Sequence, residues 1–243
     1  MDMYEDFKDS KVIIAFPGIG SVSVLAANYI LKNLKHKVFA SMYSDDFPAV
    51  LLNDNNEFRL PAVRMIRLET KERVVLCYGD SQPSTDAGAY KLSKEIIDVL
   101  KRGGVKEVIT LGGIGIRGER RRSVAYYMSN SAESSKKLQR LKATDKLSDK
   151  INVVFGMTGL LYGLASKEGL NTSMLLVEAN GSPGYMDTKA SMKMIELLSD
   201  YINLGIKIKE SEKSKRKEKK VKYSVEREDK LEEEARFKEH YLG

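Results

Sequence analysis

The sequence predicts an α/β fold, a three-layer sandwich around a mixed, mostly parallel sheet, followed by a charged C-terminal arm. Three observations predict it. Short apolar runs alternate with longer segments of helical periodicity along most of the chain, the pattern of strands and helices that share one sheet. Gly and Pro punctuate the ends of these elements, as at Pro17-Gly18 and Gly103-Gly104. Beyond Gly205 both patterns stop and charge takes over. A chain of 243 residues therefore reads as one α/β domain over 1–205 and a flexible arm over 206–243.

The elements follow in order. Residues 11–16 form an apolar run stopped by Pro17-Gly18, a buried strand and a turn; 22–34 has helical spacing and 37–43 is a second strand, completing a β-α-β unit. A strand at 49–52, a polar turn at 53–56 and a short strand at 57–60 precede two more strands at 64–68 and 73–78, joined through 69–72. This antiparallel meander interrupts the parallel pattern. Residues 86–102 make an amphipathic helix, with Thr85 or Asp86 as N-cap and Gly103-Gly104 closing it. A strand at 107–111 leads into a loop rich in Gly and Arg.

A strand at 123–128 and a helix at 131–141 follow, the helix capped by Asn130 or Ser131. Residues 144–150 are a polar connection, and Val153 and Val154 begin another buried element. In the helix expected at 159–167, Gly159 and Gly163 lie one turn apart, a spacing that lets a neighbouring backbone approach. A strand at 173–178 and a helix at 188–204 complete the domain. There is no internal repeat.

No apolar run approaches the roughly 20 residues of a membrane-spanning helix. The acidic start, Met1-Asp2-Met3-Tyr4-Glu5-Asp6, lacks the order of a secretory signal, so a cytoplasmic protein is expected. Cys77 is the single cysteine and sits inside the apolar run 74–78, where it reads as a small buried hydrophobe. The formal net charge of +7 suggests nucleic acid until it is located. Residues 207–222 hold nine bases against three acids, so the arm carries most of it and the body is near neutral, which argues against a nucleic-acid partner. Residues 223–239 reverse the balance, with seven acids against four bases. There Glu226/Lys230, Glu232/Arg236 and Glu234/Lys238 fall at the i,i+4 spacing of a solvated helix. The other basic cluster, Arg117, Arg120, Arg121 and Arg122, reads as a solubilising or inter-subunit loop, or as a phosphate ligand.

Candidate chemistry is sparse. Gly18-Ile19-Gly20 follows a strand, but Ser23 stands where a dinucleotide fingerprint needs Gly or Ala; Asp45 and Asp46 lie near the position of a ribose-binding acid. Gly113-Ile114-Gly115-Ile116-Arg117-Gly118 has the G-x-G-x-x-G spacing, yet leads toward a strand instead of the helix whose N-terminus would hold a pyrophosphate. With one Cys and only His36 and His240, no triad or His/Cys metal cluster can be assembled, and no cofactor is expected. The enzyme alternative is a phosphorylase-like hydrolase or transferase using Asp80 and Glu178, each at a strand end, with Arg117 as phosphate ligand.

The stretch from Val154 to Ala165, Gly169-Leu170-Asn171-Thr172-Ser173, the run Leu175 to Pro183 and Asp187-Thr188-Lys189-Ala190 resemble the closing half of the archaeal proteasome assembly chaperone family, of the second-chaperone type. Phe16-Pro17-Gly18-Ile19-Gly20, the segment Tyr78 to Pro83 and Leu111-Gly112-Gly113 match that family's landmarks in order. The resemblance covers about 10–205 and implies a nucleoside-phosphorylase-like fold used for binding. It also implies a homo-oligomer, with or without a second family member, that meets the proteasome core particle or its α subunits. It implies no catalytic residues. Family members can end in a hydrophobic-Tyr-any residue motif that enters pockets between α subunits. This chain ends His240-Tyr241-Leu242-Gly243, with Tyr third from the end and His240 in the apolar place. Phe237, His240, Tyr241, Leu242 and Gly243 are the expected partner-binding residues.

Overall fold

The computed structural model describes residues 3–54, 56–116 and 123–206. Nine strands and five α-helices occur among them, in the order β1 (Lys11–Ala15), α1 (Val22–Asn33), β2 (His36–Met42), β3 (Leu52–Asp54), β4 (Glu57–Arg59), β5 (Val63–Leu68), β6 (Val74–Gly79), α2 (Asp86–Arg102), β7 (Glu107–Ile116), β8 (Ala125–Ser129), α3 (Ala132–Arg140), α4 (Gly156–Lys167), β9 (Thr172–Asn180) and α5 (Thr188–Ile202). Seven strands form one sheet in the order β2-β5-β6-β1-β7-β9-β8, and β3 and β4 pair separately.

The parallel centre, β6-β1-β7-β9, is where the apolar runs are longest. Val12, Ile13, Val75, Leu76, Val108 and Ile109 are all fully buried there, as expected of strands covered on both faces. Reversed strands β5 and β8 make the sheet mixed. Side chains alternate between two layers. Ile13, Leu76, Ile109 and Leu175 meet α1, α3 and α5, whereas Val12, Val75 and Val108 meet α2 and α4.

Helix α2 shows why these segments take their places. Thr85 accepts a hydrogen bond from the Gly88 amide as N-cap, and Lys101 and Arg102 occupy the negative end of the helix dipole. Leu92, Ile96, Ile97 and Leu100 line one face and are buried. Each such side chain contributes roughly 2 kcal/mol on burial, so Ile96→Asp would cost the helix its seat. Ser131 caps α3 in the same way, and Asp187 caps α5.

Five expectations need correction. The strand expected at 49–52 is absent: its exposed Val50 and Leu51 make no ladder, and the hairpin instead pairs Leu52–Asp54 with Glu57–Arg59. Strand β7 does not stop at Leu111 but runs through the glycines to Ile116, paired with β9 along its length. Val153 begins no buried element and is exposed. Helix α4 starts at Gly156, a turn early. Gly159 abuts its own preceding Val154 and Gly163 faces open space, so the pair does not seat a neighbouring backbone.

Candidate functional site

In an open α/β sheet a small ligand binds outside the carboxyl ends of the parallel strands. Among the described residues the turn after β1 lies against that end of the sheet. The turn after β1 passes through Gly20 at φ +60°, and a Cβ there would lie 2.8 Å from Ala179 Cβ and 3.1 Å from Asp187 Cβ. A Cβ on Gly113 would stand 2.4 Å from the Ile19 carbonyl oxygen. The two glycine patterns therefore serve one purpose, letting the β1 turn lie flat on the ends of β7 and β9. Ser23 Oγ donates back to the Phe16 carbonyl, which fixes the same turn from the helix side.

Two side chains seal the seam. Gln82 donates through Nε2 to the Pro17 carbonyl at 2.5 Å and accepts through Oε1 from the Met157 amide at 3.1 Å. It thereby occupies the N-terminus of α4, whose N-cap residue Phe155 has no side-chain acceptor. Asp187, buried at the start of α5, accepts from the Asn180 amide at 2.8 Å and the Ala190 amide at 2.9 Å. Its own amide donates to the Gly20 carbonyl at 2.8 Å. Strand β9, helix α5 and the β1 turn are held by this one residue.

The acids of the enzyme alternative do not converge. Asp80 and Glu178 stand at the ends of β6 and β9, which β1 and β7 separate, about 14 Å at ordinary strand spacing. They also differ in face. Glu178 lies in the alternation with Met174 and Leu176, and it accepts from the Tyr126 hydroxyl at 3.0 Å. Asp80 shares its parity with Leu76 and Tyr78, in the opposite layer. Burial and the neighbouring Glu178 push the Tyr126 phenol up to about 12.

Asp80 is a clamp. Its carboxylate accepts from Arg59 Nη1 at 2.5 Å and Nη2 at 2.9 Å, from Arg64 at 2.9 Å and from the Ala62 amide at 3.0 Å. Burial would raise its pKa, but the Arg59 hydrogen bond, the Ala62 amide and the two guanidinium charges outweigh that and hold it below the ordinary carboxylate value. An acid so fixed is a poor proton shuttle. Arg64 also lies 5.0 Å above the Tyr78 ring.

Other expected residues have structural places. Asp46 accepts from the Thr85 amide at 2.8 Å and its hydroxyl at 3.0 Å, reinforcing the start of α2 instead of facing a ribose. Burial pushes the Cys77 thiol up to about 12. His36 is exposed, with Nδ1 2.9 Å from the Leu34 carbonyl. Among the described residues no group of three or more His, Cys, Asp or Glu could hold a metal ion. None of their helices is long and apolar enough to cross a membrane. Arg117, Arg120, Arg121, Arg122, the arm and its Phe237, His240, Tyr241, Leu242 and Gly243 lie outside the described residues.

Sequence reasoning missed Glu107. This buried carboxylate, at the start of β7, accepts on one oxygen from Ser134 at 3.0 Å, Ser173 at 2.8 Å and Tyr201 at 2.5 Å. Burial and the Glu107 charge push the Tyr201 phenol well above its usual range. The network ties α3, β9 and α5 to β7 at the end of the sheet remote from the crevice. A Glu opening an apolar strand was its only signal.

Comparison with known proteins agrees with this fold. The chain resembles a crystal structure of Pyrococcus furiosus PbaA, described as an archaeal homolog of proteasome-assembly chaperone, at TM-score 0.72 and 25% identity, covering 84% of this chain and 85% of that one. It shares its fold with Pyrococcus furiosus PbaB, described as an archaeal proteasome activator, at TM-score 0.75 and 24% identity, with 96% and 95% coverage. It is 29% identical over 214 residues to the uncharacterized protein MJ1210 of Methanocaldococcus jannaschii, covering 86% of this chain and 80% of the relative. The family model of PAC2 matches residues 12–223, and the chain belongs to the PAC2 family.

Proposed function

We propose that this protein is a non-enzymatic proteasome assembly chaperone or proteasome-binding adaptor that works as a cytoplasmic homo-oligomer. The observation that carries the reading is Gln82, which bonds Pro17 and Met157 across the carboxyl ends of the parallel strands, the place where a small ligand binds in an open α/β sheet. A body whose strand ends are bridged in this way is suited to presenting surfaces. The descriptions of PbaA and PbaB as a proteasome-assembly chaperone homolog and a proteasome activator supply the partner.

In this reading the domain 1–205 is the scaffold and 206–243 the docking arm. Phe237, His240, Tyr241, Leu242 and Gly243 form the contacting tip, with Tyr241 as the aromatic anchor despite its place third from the end. The basic stretch 207–222 speeds encounter with an acidic rim. Several arms on one oligomer let each bind weakly. The test is pull-down of 20S proteasome by the intact protein and by a chain ending at residue 236. Loss of binding with an unchanged oligomer is expected; undiminished binding by the shortened chain would refute the docking role.

A further inference from the structure

Strand β2 ends one side of the sheet, and among the described residues only β5 pairs with it. Its outward backbone groups can therefore take another strand. One face of this edge is apolar. A bulge between Val38 and Ala40 turns Phe39 and Ala40 toward the same layer, where they and Met42 pack, only partly buried, at the rim of the core that α2 covers.

The chain beyond Ile206 starts close to this edge. Asn203, Leu204 and Gly205 share a groove with Glu69, Thr70 and Lys71, and the Glu69 amide donates at 2.9 Å to the carbonyl of Lys35, the residue before β2. That chain holds one run of strand character. Val221, Tyr223 and Val225 alternate with Lys222 and Ser224, and from Glu226 the period changes to the i,i+4 acid-base pairs of a helix. Val221 is the fifteenth residue after Ile206, a reach of about 50 Å when extended. The seven residues of β2 span about 23 Å, so the run can lie along the edge in either direction.

Charge decides the direction. Lys32, Lys35 and Lys37 flank the start of β2, whereas the segment 43–60 that follows its end carries four acids against one base. Residues 207–220 hold eight bases against three acids, and residues 226–239 seven acids against four bases. A strand parallel to β2 would bring like charges together at both ends, and an antiparallel one joins opposite charges at both. We infer that residues 221–225 add to β2 of their own chain as an antiparallel eighth strand of the sheet, with Val221, Tyr223 and Val225 over the rim of Phe39, Ala40 and Met42. A tethered strand meets the edge at an effective concentration that a free one lacks, and once covered the edge no longer invites foreign strands. The contact goes beyond the proposed function: it needs no proteasome, roots the arm on one side of the sheet and leaves residues 237–243 past the added strand.

Hydrogen exchange of the full-length chain over residues 36–42, read by mass spectrometry, tests this without proteasome. Tyr223→Pro removes a ladder donor, and Val221→Asp with Val225→Asp puts charge on the rim. Each variant should speed that exchange at least tenfold while α2 exchanges as in the native protein. Disulfides read the direction. His36 and Ser41 pair with Leu68 and Arg64 on one face of β2, and Lys222 lies on the matching face of the added strand. Ser41→Cys with Lys222→Cys should form a disulfide within one chain, and His36→Cys with Lys222→Cys should not; Cys77 is buried and does not compete. Unchanged exchange in either arm variant, a Ser41 pair that fails to close or joins two copies, or a His36 pair that closes instead would each overturn the inference. A protein that protects β2 in this way but fails to bind 20S counts against the proposed function alone.

Discussion

Asp80, just past the end of β6, and Arg59, in the hairpin strand β4, meet as a two-nitrogen pair that fastens a separate two-stranded element to the central sheet. The pair is partly shielded, since the Asp80 side chain is 5% exposed and that of Arg59 30%. Arg64 joins the same carboxylate from β5.

Asp80→Asn should therefore destabilise the fold by about 2 kcal/mol, because two guanidinium groups lose their shared acceptor. The sign of the pH effect follows from the depressed pKa: the stabilisation is full above the unfolded value near 3.8 and fades as pH falls through the lower folded value. Urea titrations of both proteins should show a constant gap from pH 8 to pH 5 that narrows below about pH 4. A gap that widened on acidification would contradict the clamp.

Gln82→Ala should unlock α4 from the β1 turn. With no side-chain cap at Phe155, the Met157 amide would lose its acceptor, at a cost of about 1 kcal/mol. Hydrogen exchange should quicken in the first turn of α4 before it changes elsewhere. Equal exchange in variant and native protein would show that Gln82 does not hold the helix.

Cys77 should ignore thiol reagents in the native state. It is fully buried in β6, and with a pKa pushed to about 12, only about one molecule in ten thousand carries a thiolate at pH 8. Labelling by Ellman's reagent should appear only after denaturant unfolds the chain, so prompt labelling without denaturant would argue that β6 opens locally.

Thr110→Val offers the opposite sign. Thr110 lies in β7 under α4, and its hydroxyl has no hydrogen-bond partner among the described residues. An isosteric apolar side chain removes a buried unsatisfied group, so the melting temperature should rise, by a gain of about 1 kcal/mol. A drop in melting temperature would reveal a partner for that hydroxyl.

What the sequence disclosed and what it hid divide along the distance between interacting residues. Helix α2 could be read with its bounds and with its cap narrowed to Thr85 or Asp86, because cap and apolar face are local patterns. The central strands were legible as apolar runs. Strand β7 looked shorter than it is because Gly112, Gly113 and Gly115 carry no strand preference. The close approach of Leu176 explains Gly112 and that of Ile19 explains Gly113. Asp80 looked catalytic for the same kind of reason. An acid at a strand end is ambiguous until Arg59 and Arg64 are placed beside it, and Glu107 was invisible without the hydroxyls of Ser134, Ser173 and Tyr201.

Helix α5 ends on Asn203 in a left-handed cap, and the groove formed by Asn203, Leu204 and Gly205 is completed by Glu69, Thr70 and Lys71, between β5 and β6. The chain's other extremity arrives at this same pole, where the Asp9 amide donates to the Gly104 carbonyl and β1 begins. Tethering the molecule to a bead or sensor surface by its N-terminus would thus point the carboxyl ends of the parallel strands, and the exposed Phe155 beside them, outward into the medium. An N-terminal tether anchors the very pole from which the chain departs toward residue 243, so a long spacer is the arrangement that leaves both poles accessible.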